Sequence, residues 1–234
     1  MRTRPAPNEN RPTPNFDRLA RLYRWLEYAS FGPMLERCRF YFLPACATAR
    51  RALILGDGDG RFTQRLLQAN PFLEVDAVDA SAQMLQQLRQ RVASSGTDDA
   101  LRVHTLRADI RAFTPERRDN DPGYDLVVSH FFLDCLTPNE IDALADRLRE
   151  CLAPDALWLI SDFAIPQRGW LRPVAQLVVR SLYFAFDCLT RLRIKKLPDY
   201  AGALEQHGFF QVQQKTFLGG LLTTELWQKQ SSKP

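Results

Sequence analysis

At 234 residues the chain could form one large domain or two small ones, and 45% hydrophobic with 25% charged residues is typical of a soluble globular protein. A formal net charge of +4 allows an anionic surface as a partner but is too small to indicate nucleic-acid binding. The five cysteines include no Cys-x-x-Cys pair, which favours reduced thiols over a disulfide framework or a zinc site. We therefore predict a cytoplasmic protein with no metal site and no nucleic-acid partner.

The first 45 residues combine a tail and a helical region. Residues 1–14 carry four prolines and a positive start without the apolar run of a signal peptide, so we predict a disordered tail. From Phe16 to Phe42 apolar residues recur at helical spacing, and the Gly32–Pro33 step is typical of one helix ending and the next beginning. We expect residues 15–45 to form a helical cap ahead of the first strand.

Strands alternate with helices between residues 50 and 166. Apolar runs such as RALILG and YDLVVSH predict buried strands, and the amphipathic segments between them predict helices, one of them capped at its start by Ser81. Near-continuous apolar strands joined by helices indicate a parallel sheet covered on both faces. Right-handed crossovers make such a sheet doubly wound. Residues 50–166 are therefore predicted to form a cofactor-binding core.

The end of the chain breaks this alternation. Residues 198–234 predict a closing helix and then two strands, FFQVQQKTF and LLTTELWQK. The linker LGG between the strands is too short for a parallel crossover, so they form an antiparallel hairpin at the sheet edge. The sequence thus predicts a single α/β domain over residues 15–234, with a doubly wound, mainly parallel seven-stranded sheet, a C-terminal antiparallel hairpin and a helical cap.

The stretch LGDGDG after the first predicted strand places Gly56, Gly58 and Gly60 at alternate positions. This spacing differs from the G-x-G-x-x-G pattern of dinucleotide sites, in which a pyrophosphate approaches the start of a helix. Asp57 and Asp59 would also disfavour a pyrophosphate if they faced it, by roughly 3–4 kcal/mol per like-charge pair at about 4–5 Å. A nucleoside with a cationic end, such as S-adenosylmethionine, fits this loop better.

Two further carboxylates lie at the carboxyl ends of predicted strands, where open α/β sheets bind ligands. Asp79 ends the second strand and could accept hydrogen bonds from both ribose hydroxyls of a nucleoside. Asp109 ends the third strand and could accept one from the adenine amine. Each of these aspartates could instead be a turn or capping residue without a ligand, and the same alternative holds for Asp57 and Asp59.

Taken in order, LGDGDG, VDAS, RADI, YDLVVSHFFLDCL and the closing hairpin resemble the class I S-adenosylmethionine-dependent methyltransferases, over roughly residues 15–230. The resemblance implies S-adenosylmethionine as cofactor. It also implies a set of residues that bind the cofactor: Gly56, Gly58, Gly60, Asp79, Ala80, Asp109, Ile110, Ser129 and His130. The family usually carries an acid where this chain has Ile54. Either Asp57 replaces that acid at the ammonium group of the cofactor, or the methionine end is held differently.

His130, at the end of the fourth predicted strand, is the candidate catalytic residue because a histidine has an ordinary pKa near 6.5. It could deprotonate the acceptor, orient the loop or contact the cofactor. A general base is optional, since methyl transfer from a sulfonium needs mainly positioning and exclusion of water. Asp134 could order the loop on the substrate side rather than act as a base.

Residues 167–197 form a strongly apolar segment that predicts a helical insert or lid. A membrane-spanning helix is disfavoured because Arg180 would lie in mid-span. The segment could pack against the N-terminal helices, form a wall for a hydrophobic acceptor, or contact a membrane surface peripherally through its basic end. Its arrangement is loosely similar to methyltransferases of quinone biosynthesis and of phospholipid headgroups.

These observations favour methyl transfer from S-adenosylmethionine to a small acceptor that is apolar or amphiphilic. A second hypothesis, motivated by Ile54, is a non-catalytic protein of the same fold that binds S-adenosylmethionine or serves in an interaction. A dinucleotide oxidoreductase is disfavoured by the glycine spacing and by the terminal hairpin.

Overall fold

A seven-stranded sheet forms the centre of the computed structural model, which describes residues 33–115, 122–166 and 198–230. The strands are β1 (Arg51–Leu55), β2 (Glu74–Asp79), β3 (Val103–Arg107), β4 (Tyr124–His130), β5 (Leu152–Phe163), β6 (Phe209–Phe217) and β7 (Leu222–Lys229). Their order in the sheet is β3-β2-β1-β4-β5-β7-β6. The first five strands run parallel, and β7 lies antiparallel between β5 and β6. The predicted α/β fold and terminal hairpin are confirmed.

Helices lie before and between the strands. They are α1 (Pro33–Phe40), α2 (Arg61–Ala69), α3 (Ala82–Ala93), α4 (Thr97–Leu101), α5 (Pro138–Cys151) and α6 (Tyr200–Gln206). Short 3-10 turns span Leu43–Cys46, Leu133–Cys135 and Leu218–Gly220, the last of which joins the hairpin strands. The short α4 was not predicted, because it buries no residue and so has no amphipathic pattern.

Both faces of the sheet are buried, as the apolar strands predict. In β1, Leu53 and Leu55 pack into one core cluster with α5, whereas Ala52 and Ile54 pack into a second cluster with α2 and α3. The same alternation continues in β4 and β5, because successive residues of a strand point to opposite faces. Consecutive apolar residues in a strand therefore indicate helices on both sides, and here both layers are present.

Local capping fixes where two of the helices begin. The Ser81 hydroxyl accepts a hydrogen bond from the Met84 backbone N–H at 3.2 Å, which confirms the predicted cap of α3. At α5 the Thr137 and Glu140 side chains form a capping box. These caps satisfy backbone donors that the first turn of a helix leaves unpaired.

The parallel arrangement brings the carboxyl ends of β1 to β5 to one edge of the sheet, the edge at which open α/β sheets bind ligands. Of the predicted cap, α1 and the turn at Leu43–Cys46 are helical. The predictions for residues 1–32 and 167–197, including membrane contact, fall outside the described residues. Within the ranges that are described, no helix combines the length and the hydropathy needed to cross a membrane.

Candidate cofactor site

The glycine loop between β1 and α2 requires glycine at two positions, because each has a positive φ and no room for a Cβ. Gly56 has φ +67°, and a Cβ there would lie 2.4 Å from Cδ2 of Phe132. Gly60 has φ +79°, and a Cβ there would lie 2.8 Å from Cα of Leu88 in α3. Gly58 also has φ +61°, but the nearest atom to a Cβ would be Met84 Sδ at 3.9 Å. The loop is thus packed at both ends and open at its centre, which suits it to the close approach of a ligand.

Asp57 is turned inward from this loop. Its Oδ2 accepts hydrogen bonds from the Thr63 backbone N–H at 2.9 Å and from the Thr63 hydroxyl at 2.7 Å. Its Oδ1 is buried and has no hydrogen-bond partner in the described parts of the chain. Burial raises the pKa of Asp57, while the positive charge of Arg39 and the Thr63 hydrogen bonds oppose that rise. One carboxylate oxygen therefore supports α2, and the other is a buried acceptor that no described residue satisfies.

Asp59 has a structural environment instead. Its carboxylate bonds Arg61 Nε at 3.2 Å and Arg91 Nη2 at 2.8 Å, and Arg91 Nε also donates to the Asp59 carbonyl at 2.8 Å. These contacts tie the loop to α3 and neutralise the charge. The two carboxylates of LGDGDG thus serve different purposes, since Asp57 points into the core of the site and Asp59 is paired with arginines beside α3.

The Asp59 carboxylate pairs with Arg61 and Arg91, so we assign it a structural role only. Asp59→Asn should therefore leave cofactor affinity unchanged. We expect the free energy of unfolding to fall by about 1 kcal/mol or less, the usual range for partly exposed ion pairs. Urea unfolding and calorimetric titration with S-adenosylhomocysteine measure the two quantities. A loss of affinity beyond about threefold, under 1 kcal/mol in binding free energy, would contradict this assignment.

The ends of β2 and β3 carry the two other predicted acids, each already engaged locally. Asp79 Oδ1 accepts the Ser81 backbone N–H at 2.8 Å, and its carbonyl accepts the Ala108 N–H at 3.1 Å. Asp109 accepts Arg111 Nε at 2.8 Å, and a second bond from Arg111 Nη2 makes the pair bidentate. These bonds lower the pKa of Asp109, so the carboxylate stays charged. An adenine amine would therefore share Asp109 with Arg111.

The neighbouring predicted residues are mainly backbone and packing elements. The Ala80 carbonyl accepts Arg107 Nε at 3.4 Å. Ile110 is buried in the same core cluster as α5, and its carbonyl accepts Arg147 Nη2 at 3.0 Å. Both residues lie at the ligand-binding edge, directly after the strand-end acids.

At the end of β4, Ser129 and His130 face opposite sides of the sheet. The Ser129 hydroxyl accepts Trp158 Nε1 at 3.0 Å, which gives this side chain a packing role. The centroid of the His130 ring lies 4.5 Å from that of the Phe62 ring, and Phe62 is in the first turn of α2. Burial, aided by the charge of Arg39, lowers the pKa of His130 well below its usual value, so the imidazole is neutral at pH 7.

A buried pair of acids lies beyond β4 and β5. The Asp134 backbone N–H donates to Asp162 Oδ2 at 3.2 Å, and the Phe163 N–H donates to Asp162 Oδ1 at 2.8 Å. Burial raises the pKa of Asp134 to about 6 and that of Asp162 well above its usual value, to which the charge of Asp134 also contributes. These bonds support the interpretation that this region of the chain orders the loop after β4.

The residues present fit S-adenosylmethionine. The open centre of the glycine loop offers room for close approach. Among the described residues Asp57 Oδ1 has no donor, and the neutral His130 adds no positive charge to repel a sulfonium. Arg39, Arg111 and Asp162 were not identified from the sequence, because none of them stands in a motif; Arg39 and Asp162 act on residues far away along the chain, whereas Arg111 pairs with the nearby Asp109.

Comparison with known proteins agrees with this geometry. Residues 53–158 match the methyltransferase domain family. A malonyl-[acyl-carrier protein] O-methyltransferase of Halalkalibacterium halodurans is 32% identical over 115 residues, which make up 49% of this chain and 39% of that protein. The chain thus spans well under half the length of this curated relative.

Two solved structures resemble the whole described fold. An O-methyltransferase family protein from Burkholderia thailandensis superimposes with a TM-score of 0.65 at 17% identity, covering 93% of this chain and 59% of that one. The N-methyltransferase NodS from Bradyrhizobium japonicum WM9, in complex with S-adenosyl-l-homocysteine, gives 0.59 at 14% identity, covering 83% of this chain and 87% of that one. Residues 53–158 therefore match the methyltransferase domain family, and the chain shares the fold of these methyltransferase structures.

Proposed function

We propose that this chain transfers the methyl group of S-adenosylmethionine to a small acceptor that is apolar or amphiphilic. The supporting observation is an apolar cluster at the carboxyl edge of the sheet, beside the loop after β4. Its buried members are Leu35, Cys38, Phe131 and Leu222, and Met34, Phe163 and Phe217 pack against it. These packed side chains make this edge of the sheet apolar, which supports an acceptor with apolar surface.

The chain's own residues would divide the work of binding. The glycine loop and Asp57 would hold the methionine part, Asp79 the ribose and Asp109 the adenine amine. When bound, S-adenosylmethionine supplies an electrophilic methyl group on a good leaving group. The residues then have to align the acceptor and exclude water, and burial around the His130 ring serves the second task. His130 remains the candidate general base because its imidazole is neutral, although the burial and the Arg39 charge that lower its pKa make it a weaker proton acceptor.

The second candidate is a protein that binds S-adenosylmethionine without turnover. It is favoured by Ile54, which is 1% exposed in the core cluster with α2 and places no acid at that position. Asp57 offers a carboxylate only three residues away along the chain, so the loop still contains an acid. We therefore favour the enzyme, and turnover decides between the two.

The test is methyl transfer from radiolabelled S-adenosylmethionine to a panel of quinol, phenol, fatty-acid, amine and phospholipid-headgroup acceptors. We expect turnover of at least one apolar or amphiphilic member and no label transfer to strictly polar analogues. Asp79→Ala serves as the cofactor-site control and should weaken S-adenosylhomocysteine binding by roughly tenfold or more, as expected for one lost charge-assisted hydrogen bond. Micromolar cofactor binding with no turnover on any acceptor would favour the second candidate.

A further inference from the structure

β6 forms one edge of the sheet and leaves that edge open to a further strand. It is the last strand in the sheet order, and among the described strands it pairs only with β7. Of its nine residues, the seven at positions 210–216 are exposed. The outer backbone N–H and C=O groups of such a strand form a template that another β-strand can pair along its length.

Exposed apolar side chains are concentrated on this edge. Phe210 and Val212 are 42% and 44% exposed, and Leu218, directly after β6, is 43% exposed. Tyr41 is 47% exposed and lies beside β6, with its ring 5.7 Å from the ring of Phe217. Four of the seven large apolar side chains that are exposed in the described part of the chain are thus on or beside β6. Charges and prolines usually protect an edge strand, so an apolar edge of this length indicates a surface that binds another strand.

The charge of β6 favours a second copy of this chain as the partner. Its only charged residue is Lys215, whose ammonium group lies 5.7 Å from the centre of the Tyr41 ring. A strongly acidic or basic strand would therefore find few opposite charges along this edge. Two copies of β6 related by a two-fold axis run antiparallel, which separates the two Lys215 side chains unless the axis passes through that residue.

A β-bulge in β6 determines which residues would face each other. Val212 is the extra residue, because its two neighbours have partners in β7 and it has none. Phe210 and Lys215 lie opposite β7 residues that are four positions apart, so both side chains point to the same face of the sheet. Without the bulge they would point to opposite faces, since an odd number of positions separates them.

We propose that two copies of this chain pair through β6 to form a two-fold symmetric dimer, with the axis between Val212 and Gln213. This register keeps side chains of the same face opposite each other along nearly the whole strand, and it sets Phe210 of each copy opposite Lys215 of the other. No like charges then face each other, and each copy uses its β6 edge once, so the assembly closes as a dimer. The inference goes beyond the proposed function and does not depend on it.

The size of the edge sets the expected strength of the dimer. A strand of nine residues is smaller than a standard interface of roughly 20–30 residues a side. The dimer should therefore be reversible, with a dissociation constant in the micromolar range.

Sedimentation velocity over the micromolar range tests the proposal with two variants that differ only in charge. Phe210→Lys places a lysine opposite Lys215, whereas Phe210→Glu places a glutamate there, and both remove the same ring. Phe210→Lys combined with Lys215→Glu brings opposite charges together again. Phe72→Lys is the matched control, since Phe72 is a 70% exposed phenylalanine in the turn before β2. Far-UV circular dichroism checks that each variant is folded.

We expect the wild type to dimerise and Phe210→Lys to weaken the dimer by roughly tenfold or more, because two like-charge pairs form in each dimer. Phe210→Glu should dimerise more tightly than Phe210→Lys, and this difference should shrink at high salt. The double variant should recover most of the loss, and Phe72→Lys should dimerise like the wild type. A wild type that stays monomeric over this range, or equal weakening by lysine and glutamate, would overturn the proposal.

Hydrogen exchange of the wild type adds a test that needs no substitution. The backbone amides of residues 210–216 should become more protected as the protein concentration rises. A dimer that leaves these amides unprotected assembles elsewhere on the surface. Protection that is equal at all concentrations would show that another part of the same chain covers the edge, and either result would contradict the proposed pairing.

Discussion

Gly60→Ala should lower the free energy of unfolding by about 2–5 kcal/mol, which is enough to remove a large part of the stability of a typical domain. Two effects add. A non-glycine residue at φ +79° costs roughly 1–2 kcal/mol in the left-handed region. The new Cβ would also lie 2.8 Å from the Leu88 Cα, a backbone atom of α3, and relieving such overpacking typically costs about 1–3 kcal/mol. Urea unfolding followed by far-UV circular dichroism measures the loss.

Gly58→Ala is the matched control for this prediction. It has a similar φ of +61°, but the nearest atom to its Cβ is Met84 Sδ at 3.9 Å, in ordinary contact. Only the cost of the left-handed backbone conformation remains, so we expect the free energy of unfolding to fall by roughly 1–2 kcal/mol. Equal destabilisation by the two substitutions would show that the close approach of α3 does not matter.

Much of the fold follows from local pattern. The run Ala52–Leu55 is apolar at every position, and this predicted a strand covered on both faces, as the alternating membership of the two core clusters confirms. The three-residue linker Leu218–Gly220 excluded a parallel crossover and so predicted the terminal hairpin. Ser81 predicted the start of α3 because a hydroxyl at that position can satisfy a backbone donor.

The candidate site was predictable by position but not by side-chain partner. From the predicted strand ends, we expected the glycine loop, Asp79, Asp109 and His130 at one edge of the sheet. The structure places them there, at the ends of β1, β2, β3 and β4. The sequence did not predict that Trp158 would engage Ser129, since that hydrogen bond joins residues 29 positions apart. Arg39 was missed for the same reason, because it lies in a helix outside every motif and its charge acts on Asp57 and His130, which are far away along the chain.

The buried acids Asp134 and Asp162 make stability depend on pH, and the direction can be worked out. The pKa of Asp134 is raised from 3.8 to about 6 in the folded protein, mainly by burial. Between these values the folded state holds a proton that the unfolded state has lost, so the free energy of unfolding falls as the pH rises. This residue's contribution is lost as the pH rises through about 6, and the raised pKa of Asp162 extends the loss to higher pH.

Asp134→Asn should therefore stabilise the protein at pH 8 and have little effect at pH 4. The amide keeps an oxygen to accept the Cys135 thiol and removes a charge beside Asp162. We expect a gain of the order of 1–2 kcal/mol at pH 8, which corresponds to a rise in Tm of roughly 2–4 °C per kcal/mol for a domain of this size. Thermal unfolding at both pH values, with exposed Asp98→Asn as the charge-matched control, measures the difference. A gain that is equal at pH 4 and pH 8 would exclude titration as its origin, and no gain at pH 8 would show that the charged pair does not destabilise the fold.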